Sequence, residues 1–311
     1  MKKTEQQAAG RKKKNKYWNS ETISYQLMLL PGIIMLLIFI IVPLFGIVIA
    51  FQNYVPAKGI LGSEWVGLEW FKYIFIMPDG LQVFWNTLVI AVGKIIMNII
   101  VPVAFALLLN EAKNKLFKRT VQTIVYMPYF LSWVILGSIF STMFSTDGII
   151  NQFIEMFGGE ATMFLGSNDW FRPIIILTDT WKNFGYNAII YLAALLSIDP
   201  NLYEAAAIDG AGRARQLWSI TLPSLVPTII LMTTLSLGNV LNAGFDQVFN
   251  MYNPMVYETG DIIDTYVYRV GLVDMQFSLS TAVGFTKSII SSVLIIISYA
   301  LARKFAGYRI F

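Results

Sequence analysis

Apolar positions in this chain collect in long runs, at approximately 27–51, 83–110, 120–144, 171–197, 223–245 and 283–302, with charged and turn-forming residues between them. Crossing the roughly 30 Å of hydrocarbon in a bilayer takes about 20 mostly apolar residues at 1.5 Å each, and every run qualifies. Backbone polar groups in lipid must be satisfied internally, so the runs should be helices. The pattern predicts an all-α integral membrane protein with six transmembrane helices. Gly and Pro inside several runs fit, since neighbouring membrane helices repair the bonds they break.

Composition agrees. Of 311 residues, 56% are hydrophobic and only 14% charged, with a mean hydropathy of +0.60; a soluble domain of this length needs more charge to cover its surface. The chain has no cysteine and no histidine, which excludes disulfides, imidazole metal sites and triads with a histidine base. No catalytic or metal-binding set is expected. A basic stretch (Arg11, Lys12, Lys13, Lys14, Lys16) precedes the first apolar run, as in a signal peptide. That run is too long for a signal, and Asn53-Tyr54-Val55-Pro56 follows it in place of a small-residue cleavage site. It reads as the first, uncleaved span.

Charge sets the orientation. With six spans and both termini on one side, that side holds 16 Lys and Arg, and the other only Lys58, Lys72, Arg172 and Arg269. Positive-inside bias puts a basic N-terminal tail (1–26), the 198–222 loop and a C-terminal tail (303–311) in the cytoplasm, around a six-helix transmembrane domain (27–302). Trp65, Trp70, Trp85 and Trp170 fall in outer loops or near span ends, where interfacial aromatics belong. The longest stretches between spans, 52–82, 145–170 and 246–282, suit partner docking better than independent folding.

The 198–222 loop reads S-I-D-P-N-L-Y-E-A-A-A-I-D-G-A-G-R-A-R-Q-L-W-S-I-T-L-P with its flanks. Asp199 is a good N-cap and Pro200 suits the first helical turn. Leu202 to Ile208 should form a short helix that breaks at Asp209-Gly210, with a second helix from about Ala211 to Ile220 before Pro223 opens the fifth span. Such a helix-turn-helix makes a rigid knob for a cytoplasmic partner. Glu204-Ala205-Ala206, Gly210, Ile220 and Leu222-Pro223 meet every spacing of the E-A-A signature, and here the chain resembles the permeases of binding-protein-dependent ABC importers. The resemblance implies a type I importer (MetI-like) fold, with Glu204, Ala205, Ala206, Asp209 and Gly210 contacting an ATPase.

Further stretches are similar to carbohydrate permeases: W-V-G-L-E-W-F-K-Y-I-F (65–75) and Asn86-Thr87-Leu88. Y-M-P-Y-F-L-S-W-V (126–134) and N-P-M-V-Y-E-T-G-D-I-I-D-T-Y-V-Y-R-V-G-L (253–272) resemble the LplB-like complex-saccharide group of Gram-positive bacteria. The resemblance implies a multi-pass protein of the bacterial cytoplasmic membrane that imports a sugar or oligosaccharide. Its implied partners are a second permease subunit, two copies of a cytoplasmic ABC ATPase and an extracellular solute-binding lipoprotein. No G-x-x-x-x-G-K-[ST] occurs in this chain. The permease is therefore expected to be no enzyme and to carry no cofactor, ATP and Mg being held by the partner ATPase. An ABC permease for peptides or amino acids and an ATP-independent secondary transporter stand as alternatives.

Polar residues at membrane depth are the candidates for a pathway. Asp179, Lys182, Asn183 and Tyr186 are spaced for one helix face, beside Trp181; Ser236, Asn239 and Asn242 follow helical spacing in the next span. Amides and hydroxyls could bind sugar hydroxyls while Trp181 or Tyr186 stacks on a pyranose face. Equally, Asp179 could pair with Lys182 and the asparagines tie helices together. Lys94 and Lys287 read as structural partners for acidic groups. Asp261 and Asp264, in a tyrosine-rich outer loop, are candidates for contact with the binding protein, the alternative being a loop packed on the partner permease.

Overall fold

The computed structural model describes residues 20–306. The basic tail as far as residue 19, and residues 307–311, lie outside it. The chain divides into two compact units after Ile49. The first apolar run forms helix α1 (Ile23–Phe51), with Pro31 and Pro43 inside it. Just before Pro43 the helix loosens to a π stretch, Leu37–Ile41, where Val42 N–H bonds Leu37 O. A π-bulge of this kind absorbs the bond a proline removes.

The second unit is a bundle. Its helices are α2 (Pro78–Glu111), α3 (Lys115–Tyr126), α4 (Trp133–Met143), α5 (Asn168–Leu196), α6 (Pro200–Ile208), α7 (Arg213–Gly238), α8 (Phe245–Met251) and α9 (Phe277–Ala306). Among the described residues four helices, α1, α2, α7 and α9, are long and apolar enough to cross a membrane. A fifth span is possible if the segments 115–130 and 133–143, bent by 100° at their junction, count as one. The remaining expected span, α5, has the length, at 29 residues, but carries Asp169, Arg172, Asp179 and Lys182.

Two strands, β1 (Gln52–Asn53) and β2 (Glu64–Trp65), pair antiparallel in the loop that follows α1. They bring the Phe51 and Trp65 rings into a stack at 5.7 Å. Helices α2 and α5 pack along one another, and α7 packs on α9. The bundle has two separate apolar cores. One holds Ile90 and Ala91 of α2, Phe171, Ile174 and Ile175 of α5, and Ile262 and Ile263 of the outer loop. The other holds Val103 and Ala106 of α2, Ala188, Tyr191 and Leu195 of α5, and Leu225 of α7. Between the cores, both helices turn polar.

Candidate functional site

The polar interval is a cavity of about 380 Å³ lined by α2 (Lys94, Asn98), α5 (Asp179, Asn183, Asn187) and the end of α7 with the turn after it (Ser236, Asn239, Asn242, Gly244). Lys94 organises one wall. Its ammonium donates to Ala243 O at 2.6 Å and to Gln247 Oε1, and lies 3.4 Å from Asp179 Oδ1. Asn98 donates to the other Asp179 oxygen at 2.8 Å, and Asn187 donates to Asn98 Oδ1 at 3.1 Å. Gln247, fully buried, passes its own amide protons to Ile175 O and Thr178 Oγ1, both at 2.8 Å. The lysine is thus neutralised and every Asp179 oxygen engaged, as burial of a charge requires.

The fifth span is shorter than its apolar run. Helix α7 stops at Gly238, and 239–244 is turn and irregular chain. Gly244 has φ +91°, and a Cβ there would sit 2.8 Å from Lys94 Nζ. Only glycine meets both conditions comfortably. Non-helical backbone at membrane depth is tolerated where it lines a cavity. The side chains of Asn183 and Ser236 line this space with no hydrogen-bond partner among the described residues. They are available to a guest.

Of the pathway candidates, Asp179, Asn183, Ser236, Asn239 and Asn242 come together in the cavity; Trp181, Lys182 and Tyr186 do not. Lys182 donates to three carbonyls at the bend between α3 and α4: Pro128 (3.3 Å), Tyr129 (2.7 Å) and Leu131 (2.7 Å). It takes no carboxylate within ion-pair distance, so the alternative of an Asp179–Lys182 pair gives way to Lys94–Asp179. Tyr186 stacks on Tyr129 at 3.9 Å, and Trp181 meets the Phe140 ring edge-on at 5.6 Å. The reason is angular: at 100° per residue, positions 179, 182, 183, 186 and 187 span about 140° of α5, enough to divide one stripe between two neighbours. Asn98 and Asn187 were not foreseen, each being a lone amide on an otherwise apolar turn.

Lys287 is a structural partner, as expected, bonding Asp264 Oδ1 at 2.6 Å and Asn242 Oδ1 at 3.0 Å. That removes Asp264 from the role of a free outer-surface acid. Asp261 is corrected more sharply. It is 2% exposed, paired with Arg269 and accepting from Thr265 at 2.7 Å. Burial pushes its carboxyl up from the ordinary range, against the opposing pull of Thr265 and Arg269. A carboxylate so enclosed cannot touch a docked protein; it holds the outer loop, whose backbone is also tied to α2. Asn86 donates to Glu258 O and Asp261 O, both at 3.0 Å, and Thr87 accepts from Ile263 N–H at 2.9 Å.

At the other end, Asp199 caps α6 by accepting from Asn201 N–H at 2.9 Å. The helix closes in a Schellman motif: Ala211 N–H bonds Ala206 O and Gly210 N–H bonds Ala207 O, with Gly210 at φ +77°. Glu204, Ala205, Asp209 and Gly210 are exposed and Ala206 half-buried. The separate second helix expected at 211–220 is instead the start of α7, which runs unbroken from Arg213. Pro223 fits inside it because a π stretch, Leu217–Thr221, precedes it and Leu222 N–H reaches back to Leu217 O. Tyr203 Oη and Thr221 Oγ1, 2.9 Å apart, fasten α6 to α7.

A family model described as the binding-protein-dependent transport system inner membrane component matches residues 99–307. The chain is 47% identical over 286 residues to the polygalacturonan/rhamnogalacturonan transport system permease protein YteP of Bacillus subtilis (strain 168), covering 92% of this chain and 89% of that one. It is 44% identical over 280 residues to protein LplB of the same organism, covering 90% and 88%. Among solved structures, it superposes with a TM-score of 0.83 and 35% identity on a bacterial alginate ABC transporter in complex with an alginate pentasaccharide-bound periplasmic protein, covering 92% of this chain and 96% of that chain.

Proposed function

Because this chain belongs to the binding-protein-dependent transport system inner membrane components, we propose that it is a permease subunit of an ATP-driven importer whose substrate is an oligosaccharide. The observation that carries the reading is the exposed Glu204–Gly210 end of α6, followed after two residues by one continuous helix, α7, that reaches Ser236 in the polar cavity. At 1.5 Å per residue, the 26 residues of α7 make a lever of about 39 Å. A partner that moves α6 moves the start of α7, and the tilt is delivered at the cavity.

Amide and hydroxyl groups from Asn183, Ser236, Asn239 and Asn242 offer donors and acceptors suited to sugar hydroxyls. Two of the relatives support that class by name, the polygalacturonan/rhamnogalacturonan permease and the alginate transporter. In this reading ATP and Mg are bound by a separate ATPase that docks on Glu204, Ala205, Ala206, Asp209 and Gly210. A second permease subunit completes the pathway, and an extracellular solute-binding protein delivers the substrate, in keeping with the periplasmic protein of the alginate complex. Alternating access follows: ATP-driven closure of the ATPases turns the cavity outward to the loaded binding protein, and hydrolysis resets it inward.

Affinity isolation from membranes, with mass spectrometry of what travels with the chain, tests this. The expected result is a second permease and an ATPase, both lost when Glu204 and Gly210 are replaced, and a binding protein whose ligand is an oligosaccharide. A chain recovered alone and active in liposomes without ATP overturns the importer; a binding protein specific for peptides or amino acids overturns the substrate.

A further inference from the structure

We propose that the basic elbow where α2 gives way to α3, and where α7 begins, is a docking site for the headgroups of anionic phospholipids. Two segments far apart in sequence meet here: Arg213, at the start of α7, lies 3.9 Å from Glu111, at the end of α2. Lys113 and Lys115 follow Glu111 in the chain, Arg119 lies one helical turn after Lys115, Arg215 follows Arg213 on α7, and all five are exposed. Glu111 offsets only one of them. Lys118, the remaining cation, is already committed, donating to Asn110 O at 2.9 Å as a cap on α2.

What surrounds the charges selects the partner. Leu116 is 74% exposed, Phe117 56% and Trp218 71%; the first two follow Lys115 in the chain, and Trp218 lies one helical turn (i+3) after Arg215. In open cytosol these would be stranded in water; against a soluble acidic protein the cations would be satisfied and the apolar groups would still need a matching pocket. A membrane surface satisfies both at once, with phosphates for the ammonium and guanidinium groups and the acyl boundary for Leu116, Phe117 and Trp218. Trp218 is the type of residue that settles at that boundary. The site lies beside, not on, α6, whose Glu204 and Asp209 would repel anionic lipid. The elbow thereby fixes where the two basic segments sit relative to the bilayer while α6 stays free.

The inference rests on this face lying at the membrane interface, not on what the cavity carries, so it stands or falls apart from the substrate assignment. Each cation near an anionic surface changes lipid affinity about fivefold. Native mass spectrometry of the purified full-length chain, with whatever subunits accompany it, should show selective retention of phosphatidylglycerol over phosphatidylcholine. The Lys115→Gln/Arg215→Gln double variant should lose that selectivity by about 25-fold, whereas Lys115→Arg keeps it. Should the double variant purify poorly, Lys113→Gln alone should still show the single-cation loss of about fivefold. Equal retention of both lipids by the unaltered protein overturns the proposal. So does loss of the ATPase with phosphatidylglycerol retention unchanged, which would assign the surface to the protein partner.

Discussion

Lys94 shows how much of the cavity depends on single side chains. Its ammonium holds Asp179, Ala243 O and Gln247 together, so it fixes both the charge balance of α5 and the path of the chain after α7. Replacing one member of a buried pair leaves an uncompensated charge, worth about 3–5 kcal/mol of stability. Lys94→Met should therefore lower the thermal midpoint of the purified protein sharply, and adding Asp179→Asn should restore part of it; no recovery in the double variant would mean that the pair is not the cause. Gly244→Ala tests the same corner from the backbone. The left-handed φ and the 2.8 Å approach to Lys94 Nζ predict a cost of about 1–3 kcal/mol and impaired uptake. Asp179 and Asn183 could be picked from the sequence because charged and amide groups at membrane depth are costly and so conspicuous. Asn98 and Asn187 could not, because their meaning comes from each other across 89 residues, and a one-dimensional pattern records no such neighbour.

At the scale of elements, the departures from the expected six straight spans fall where the backbone needed help from a side chain on another helix. The bend between α3 and α4 is signalled locally by Pro128 and by Ser132, which caps α4 by accepting from Ile135 N–H at 3.4 Å. Its 100° angle leaves the Tyr129 and Leu131 carbonyls to Lys182, which also reaches Pro128 O, already bonded by Leu131 N–H at 3.2 Å. Lys182→Met should leave the Tyr129 and Leu131 carbonyls unpaired at membrane depth, destabilising the protein by several kcal/mol and raising hydrogen exchange at 127–133; unchanged exchange would show that the bend holds without it. The end of α6 behaves differently. A Cβ at Gly210 would meet nothing within 4 Å in this chain, so Gly210→Val acts only through the strain of φ +77° and through what docks outside. The expected outcome is a chain that still folds but whose partner ATPase hydrolyses ATP without uptake. The helix, its Asp199 cap and its glycine stop were all legible in the sequence, since each is set within a few residues. The continuity of 213–238 was not, because Pro223 reads as a helix start unless the π stretch before it is known.

For the whole molecule, the question that decides the mechanism is which side of the membrane α6 occupies. The argument from charge is strong because it is lopsided: 16 Lys and Arg on one set of segments against four on the other, where translocating each cation is disfavoured. The folded chain adds that Arg172 and Arg269 of the smaller set are engaged within the protein, Arg172 donating to Asn86 Oδ1 at 2.6 Å and Arg269 pairing with Asp261. The absence of any cysteine makes a direct measurement clean, since one introduced thiol is the only target for a maleimide. Leu61 and Glu160 are exposed in two of the three loops assigned outside, and Asn201 is exposed on α6. In intact cells a membrane-impermeant maleimide should label Leu61→Cys and Glu160→Cys, and should reach Asn201→Cys only once the membrane is opened. The opposite pattern would put Glu204 and Gly210 outside, away from any ATP. The lever of α7 would then have nothing to drive it, and the coupling role would be lost while the cavity and its ligands stayed as they are. Matching labels at positions 61 and 160, with 201 protected, leave the short helix on the ATP side, where a soluble ATPase can push on it.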